Sequence, residues 1–135
     1  MAAHNKTLII SEMLYRSKYW GEIQGHVGEV TKDLGIIVVA EKGYKSNNFF
    51  AIDNESVTMP QLLAHKNATI CLTIAEPAAI MESLYYGVPV ILFAENDEHR
   101  ALAKRVERAA VGAYISDIKQ LDQTITKMLD EDSSE

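Results

Sequence analysis

Two nearly unbroken apolar runs, Thr69 to Ile74 and Val88 to Phe93, stand out from an otherwise mixed chain. Both are rich in β-branched residues and neither alternates with polar positions, which is the pattern of strands buried on both faces of a sheet. The segment between them fits one short helix. Pro77 suits a first helical position, where its missing N–H would be unpaired anyway, and Gly87 can take the left-handed conformation that ends a helix. Strand, helix and strand joined this tightly form the repeating unit of parallel α/β sheets. Such sheets bind ligands at the carboxyl ends of their strands, so the loop from Ile74 to Ala78 is the candidate site.

The same patterning continues on either side. Lys6 to Ser11 and Ile36 to Ala40 predict two more strands, Asn48 to Ile52 a short further one, and Ala113 to Ile115 a brief last one. Trp20, Ile23, Val27, Val30 and Leu34 recur at helical spacing, which predicts an amphipathic helix capped by Ser17 and ended by Gly35. Gln61 to His65 forms at most a helical turn. After Phe93, Asn96 or Asp97 can cap a helix whose inner stripe is Ala101, Leu102, Val106, Ala109 and Ala110 and which Gly112 ends. Asp117 opens a final helix with Ile118, Leu121, Ile125, Met128 and Leu129 on one face. Strands alternating with helices define an α/β protein with a doubly wound, mostly parallel, Rossmann-like sheet and helices on both faces. Residues 1–131 are expected to form a single domain, followed by a disordered acidic tail over 132–135.

Gly21, Gly25 and Gly28 are spaced by four and three, and so line a narrow stripe of the first long helix. Each costs about 0.8 to 1 kcal/mol against alanine in a helix interior. Close approach of another backbone would justify them as an association stripe; tolerated drift on a solvated face is the plainer explanation.

Charge and composition remove several classes of function. A net charge of −6 argues against a nucleic-acid partner, and the basic cluster Lys104, Arg105 and Arg108 fits a solvated helix face. Cys71 sits inside an apolar strand, and the four histidines lack zinc-ligand spacing, so neither a metal nor a cofactor is expected. No apolar run approaches the roughly 18 residues of a membrane span, and the amino terminus carries no apolar signal region. A cytoplasmic chain without a membrane partner is expected.

Pro60-Gln61, the run Leu62 to His65, the Glu82…Gly87-Val88-Pro89 spacing, Asp97-Glu98 and Arg105 to Glu107, in this order, resemble the carboxyl-terminal, donor-binding half of the UDP-glycosyltransferases of the GT-B fold. More weakly, the first strand and first long helix resemble the start of that half. The amino-terminal acceptor domain, which in that family usually carries the catalytic base, has no counterpart in this sequence. The resemblance implies nucleotide-sugar roles for Gln61, for Glu82 at the ribose hydroxyls, and for Asp97 with Glu98 at the sugar. Glu82 is equally an ordinary helix carboxylate, and Asp97 equally a helix cap.

The phosphate-binding positions depart from the family. Its stacking Trp is replaced by Thr58, its His by Ile74, its two small residues by Ala75 and Glu76, and its hydroxyl by Ala79, while Glu12 and Met13 replace the glycine-containing loop after the first strand. A helix N-terminus stabilises phosphate through free amides and its dipole. Glu76 opposes that: at about 4 Å and an effective dielectric near 20, one carboxylate repels one phosphate charge by about 4 kcal/mol, roughly a thousandfold in affinity. Pro77 removes a further donor. Ile74, Ala75, Glu76, Pro77 and Ala79 therefore form a degenerate phosphate loop. The expected function is that of a donor-half-like module with no catalytic residue of its own, acting by association with a second copy or an acceptor-half protein. The alternative is the UDP-sugar-binding subunit of a transferase completed by a separate acceptor domain.

Overall fold

The computed structural model describes residues 6–34, 37–40, 59–64 and 67–133. Asn48 to Ile52, Thr58 and Gly35 lie outside these residues. The elements in chain order are β1 (Thr7–Ile10), α1 (Glu12–Tyr15), α2 (Trp20–Leu34), β2 (Ile37–Ala40), α3 (Met59–Leu63), β3 (Ala68–Ile74), α4 (Pro77–Tyr85), β4 (Val90–Phe93), α5 (Asp97–Arg108), β5 (Gly112–Tyr114), a 3-10 turn (Ile118–Gln120) and α6 (Leu121–Ser133). Five strands form one wholly parallel sheet in the order β2-β1-β3-β4-β5.

Alternation within the strands divides the core into two layers. Leu8, Ile10, Ile70, Leu72, Ile74, Ile91 and Phe93 point to one side and meet Trp20, Ile23 and Val27 of α2 and Leu121, Ile125 and Leu129 of α6. Ile9, Cys71, Val90 and Leu92 point to the other, against Leu62 and Leu63 of α3, Ile80 of α4 and Ala103 and Val106 of α5. β3 is the hub, paired with β1 on one edge and β4 on the other. Its last five residues are buried, which explains why its sequence does not alternate. Cys71, among them, is fully buried.

The two helices flanking β4 and β5 end in the same hydrogen-bonded device with different residues. At the end of α4, Val88 N–H donates to Ser83 O at 3.0 Å and Gly87 N–H to Leu84 O at 2.9 Å, with Gly87 at φ 74° as the sequence predicts. At the end of α5 the corresponding bonds run from Val111 N–H to Val106 O at 3.4 Å and from Ala110 N–H to Glu107 O at 3.0 Å, and Ala110 takes φ 62°. The expected stop at Gly112 is therefore a correction. Gly112 opens β5, where an added Cβ would lie 2.6 Å from Val90 Cγ2 and 2.7 Å from Val90 O, so it serves close strand packing and not a reversal of the chain.

The inner face of α5 needs a second correction. His99, Ala103 and Val106 are buried and Leu102 partly so, whereas Ala101, Ala109 and Ala110 are exposed. Alanine is too weakly apolar to orient a helix by itself, and Ala109 and Ala110 lie beyond the last helical residue.

These two ends give opposite expectations for one substitution pair. Gly87→Ala forces a Cβ into the left-handed region and should destabilise by about 1 kcal/mol, and Ala110→Gly should stabilise by a similar amount. Gly112→Ala should cost about 1 to 3 kcal/mol through overpacking against Val90. Urea denaturation of the three variants checks all of these, and equal midpoints for the first two would contradict the left-handed assignment.

Candidate functional site

The carboxyl ends of β3 and β4 open into a cleft of about 350 Å³. Its walls are the β3–α4 corner (Ala75, Glu76, Pro77), the cap of α5 (Asn96, His99) and one face of α5 (Glu98, Ala101, Leu102, Arg105). Local sequence explains this placement. Asn96 is the N-cap of α5 and its side chain accepts from His99 N–H at 2.8 Å, which fixes the first turn of that helix over the end of β3. Glu76 occupies the N-cap of α4, with Pro77 in the first helical position as predicted, but its side chain makes no capping bond.

Glu76 turns instead toward α5. His99 Nε2 and Glu76 Oε2 are 2.6 Å apart, and the Glu95 amide donates to His99 Nδ1 at 3.0 Å. An amide that donates to Nδ1 leaves the ring proton on Nε2, so the imidazole is neutral in this arrangement and donates to the carboxylate. The ring is 8% exposed and both nitrogens are partnered, so His99 is a structural clamp and not a free base. The inner stripe expected from the sequence did not include His99. The signal that identifies it is the cap: with Asn96 at the N-cap, positions 99, 102, 103 and 106 form the inward stripe.

Few backbone donors remain at the α4 N-terminus. Glu76 N–H donates to Ile74 O at 2.7 Å and Pro77 has none, which leaves the amides of Ala78 and Ala79. At the switch point between β1 and β3, where such sheets open a crevice, the ends of the two strands are bonded to each other. Buried Ser11 Oγ donates to Thr73 Oγ1 at 2.8 Å and accepts from Leu14 N–H at 3.3 Å, so α1 starts directly at the strand end in place of a ligand loop. Tyr19 OH donates to Ala94 O at 2.6 Å and fixes the chain entering α5.

The residues expected to hold a nucleotide sugar are dispersed. Glu98 lines the cleft. Asp97 points away, with a side chain 94% exposed that pairs with Arg100 and, through that hydrogen bond first and its charge second, holds the guanidinium pKa above its ordinary value. Glu82 is half-buried on α4, Gln61 is exposed on α3, and neither lines this cleft. Of the loop expected to be a degenerate phosphate site, Ala75, Glu76 and Pro77 line the cleft, while Ile74 and Ala79 are buried in the core. Gly21 and Gly25 are exposed with open space where a Cβ would be, but Gly28 is buried, so the three glycines do not share one exposed stripe. Among the described residues the most exposed large apolar side chains are on α4, where Met81 is 68% and Tyr85 82% exposed. Among the described residues no group of His, Cys, Asp and Glu could hold a metal, and no helix is long and apolar enough to cross a membrane.

No protein-family model and no curated protein matches the chain. Its structural neighbours are glycosyltransferases, and the fold is that of one half of a GT-B enzyme. The glycosyltransferase of kitacinnamycin superposes with a TM-score of 0.73 at 16% identity, covering 96% of this chain and 36% of that one. A spinosyn rhamnosyltransferase complexed with thymidine diphosphate gives 0.71 at 13% identity over 95% and 38%, and a spinosyn forosaminyltransferase 0.65 at 15% over 97% and 36%. The chain thus spans little more than a third of the length of these neighbours, consistent with the carboxyl-terminal half. The resemblance expected from the sequence holds at the level of the fold.

The clamp makes a quantitative expectation. His99→Ala leaves the Glu95 amide without its acceptor and should cost about 1 to 3 kcal/mol, whereas Glu76→Gln keeps an oxygen acceptor for Nε2 and should cost less than about 1 kcal/mol. Urea midpoints for the two variants read the difference directly; equal losses would mean that the carboxylate charge, not the hydrogen bonds, holds the pair.

Proposed function

We propose that this chain is a GT-B donor-half domain whose diphosphate site is degenerate and which acts by association, with a second copy or an acceptor-half protein, without transferase activity of its own. The observation that carries this reading is the Glu76–His99 pair. A carboxylate fixed at the α4 N-terminus stands where a diphosphate would need amides and positive charge. Its side chain is 43% exposed, so solvent weakens the repulsion toward one phosphate charge to between about 1 and 4 kcal/mol at 4 Å. Glu76, the missing Pro77 donor and α1 starting directly after β1 in place of a ligand loop all disfavour the same ligand. Met81 and Tyr85 supply exposed apolar area for association, at a place separate from the Gly21, Gly25 and Gly28 stripe read from sequence. The cytoplasm is the compartment proposed for it.

A second reading is favoured by one observation: the neighbours carry this half within longer glycosyltransferases, and one of them is complexed with thymidine diphosphate. On that reading the chain is a donor subunit, with Gln61, Glu82, Asp97 and Glu98 holding a UDP-sugar once an acceptor half closes over them. Calorimetric titration with UDP and UDP-glucose separates the two. The association module gives no heat at about millimolar ligand, and a dissociation constant near a micromolar would overturn it in favour of the donor subunit.

A further inference from the structure

The cleft that disfavours phosphate has charges of its own. His99 is neutral in its hydrogen-bonded arrangement and so brings no positive charge to offset the Glu76 carboxylate, whose Oε1 is not engaged by the ring. Glu98 adds a second carboxylate on the facing helix. Ala101 and Leu102 follow on the same face, with Pro77 across from them, and Arg105 closes the series seven residues after Glu98. Seven residues of helix rise about 10 Å. Among the described residues neither Glu98 nor Arg105 has an ion-pair partner. The cleft therefore runs from two carboxylates, along an apolar wall, to a guanidinium. At about 350 Å³ it lies at the small end of ligand-sized sites.

We propose that this cleft binds a ligand with a cationic amine at one end and a carboxylate at the other, joined by an apolar spacer, in place of a nucleotide diphosphate. The amine lies between Glu76 and Glu98, the spacer lies along Ala101 and Leu102, and the carboxylate meets Arg105. A free ω-amino acid and a lysine followed by a chain-terminal carboxylate share this chemistry. The inference rests on the reading of the phosphate loop as degenerate, because the same space cannot favour a diphosphate and an ammonium.

Amide chemical-shift titration of the whole chain tests it, with 6-aminohexanoate as the free probe, a peptide ending in lysine as the chain-terminal one, and hexylamine, hexanoate and UDP beside them. The expected result is saturable shifts at Ala75, Ala101 and Leu102, with 6-aminohexanoate bound about two- to five-fold more tightly than hexylamine or hexanoate, the worth of one exposed ion pair. Glu98→Gln should remove its advantage over hexanoate, and Arg105→Gln its advantage over hexylamine. Tighter binding of the peptide than of 6-aminohexanoate would identify a chain terminus as the source, and the reverse a free amino acid. Absence of shifts at about 50 mM 6-aminohexanoate and peptide, or shifts indifferent to both substitutions, would overturn the proposal. Silence from UDP in that same experiment would leave the degenerate-site reading standing, while UDP shifts at these amides would overturn both.

Discussion

β3 has no free edge and no free face. It pairs with β1 from Ala68 to Leu72 and with β4 from Cys71 to Ile74, and its side chains alternate between a layer closed by α2 and α6 and a layer closed by α3, α4 and α5. Parallel pairing then sets a direction. Because the five strands run the same way, the described strand-to-helix loops open on one rim, the rim at which sheets of this kind bind their ligands. The turns at the opposite rim, built on Gly87 and Ala110, bring the chain back.

At that rim the local and tertiary demands on one residue differ. As an N-cap, Glu76 would satisfy α4 by bonding its own first-turn amides, and its negative charge would suit the helix dipole. It bonds His99 instead. His99 in turn depends on the Asn96 cap for its place and on the Glu95 amide for its tautomer, so a chain of four groups joins the β3–α4 and β4–α5 loops. Such a chain is worth most when all its members are satisfied, since a half-satisfied buried polar group costs more than it contributes. Both ring nitrogens of His99 are satisfied here. These bonds tie the β3–α4 and β4–α5 loops to each other.

Much of this fold was legible in the sequence because it rests on short-range rules. Unbroken β-branched runs, Pro77 at a first helical turn and Gly87 in a left-handed stop each declare themselves within a few residues. The Ile74 to Ala78 loop could be located for the same reason. What was not legible depends on residues distant in the chain. Glu76 and His99 are 23 positions apart, and their contact needs the cap of α5 to be settled first. Counting Ala101, Ala109 and Ala110 as apolar turned the helix the wrong way and left His99 outside. Gly112 drew the helix stop because glycine is the usual residue there, and nothing local announces that Ala110 bears the positive φ while Gly112 yields space to Val90.

At this rim likeness of fold does not by itself carry likeness of function. The helices and strands that place Glu82 and Glu98 would be required of any domain with this sheet, whatever it binds, so their positions carry little information about ligand. The phosphate-facing positions carry more, because a diphosphate tolerates few substitutes for amides and positive charge. Here those positions hold a proline, two alanines and a carboxylate engaged with a neutral imidazole. One substitution could be compensated by another donor nearby. Of the donors nearby, the Glu76 amide is taken by Ile74 O, the Glu95 amide by His99 and the His99 proton by Glu76, which leaves the amides of Ala78 and Ala79 and the Arg105 guanidinium; any further donor would have to come from dismantling the clamp that holds the two loops together.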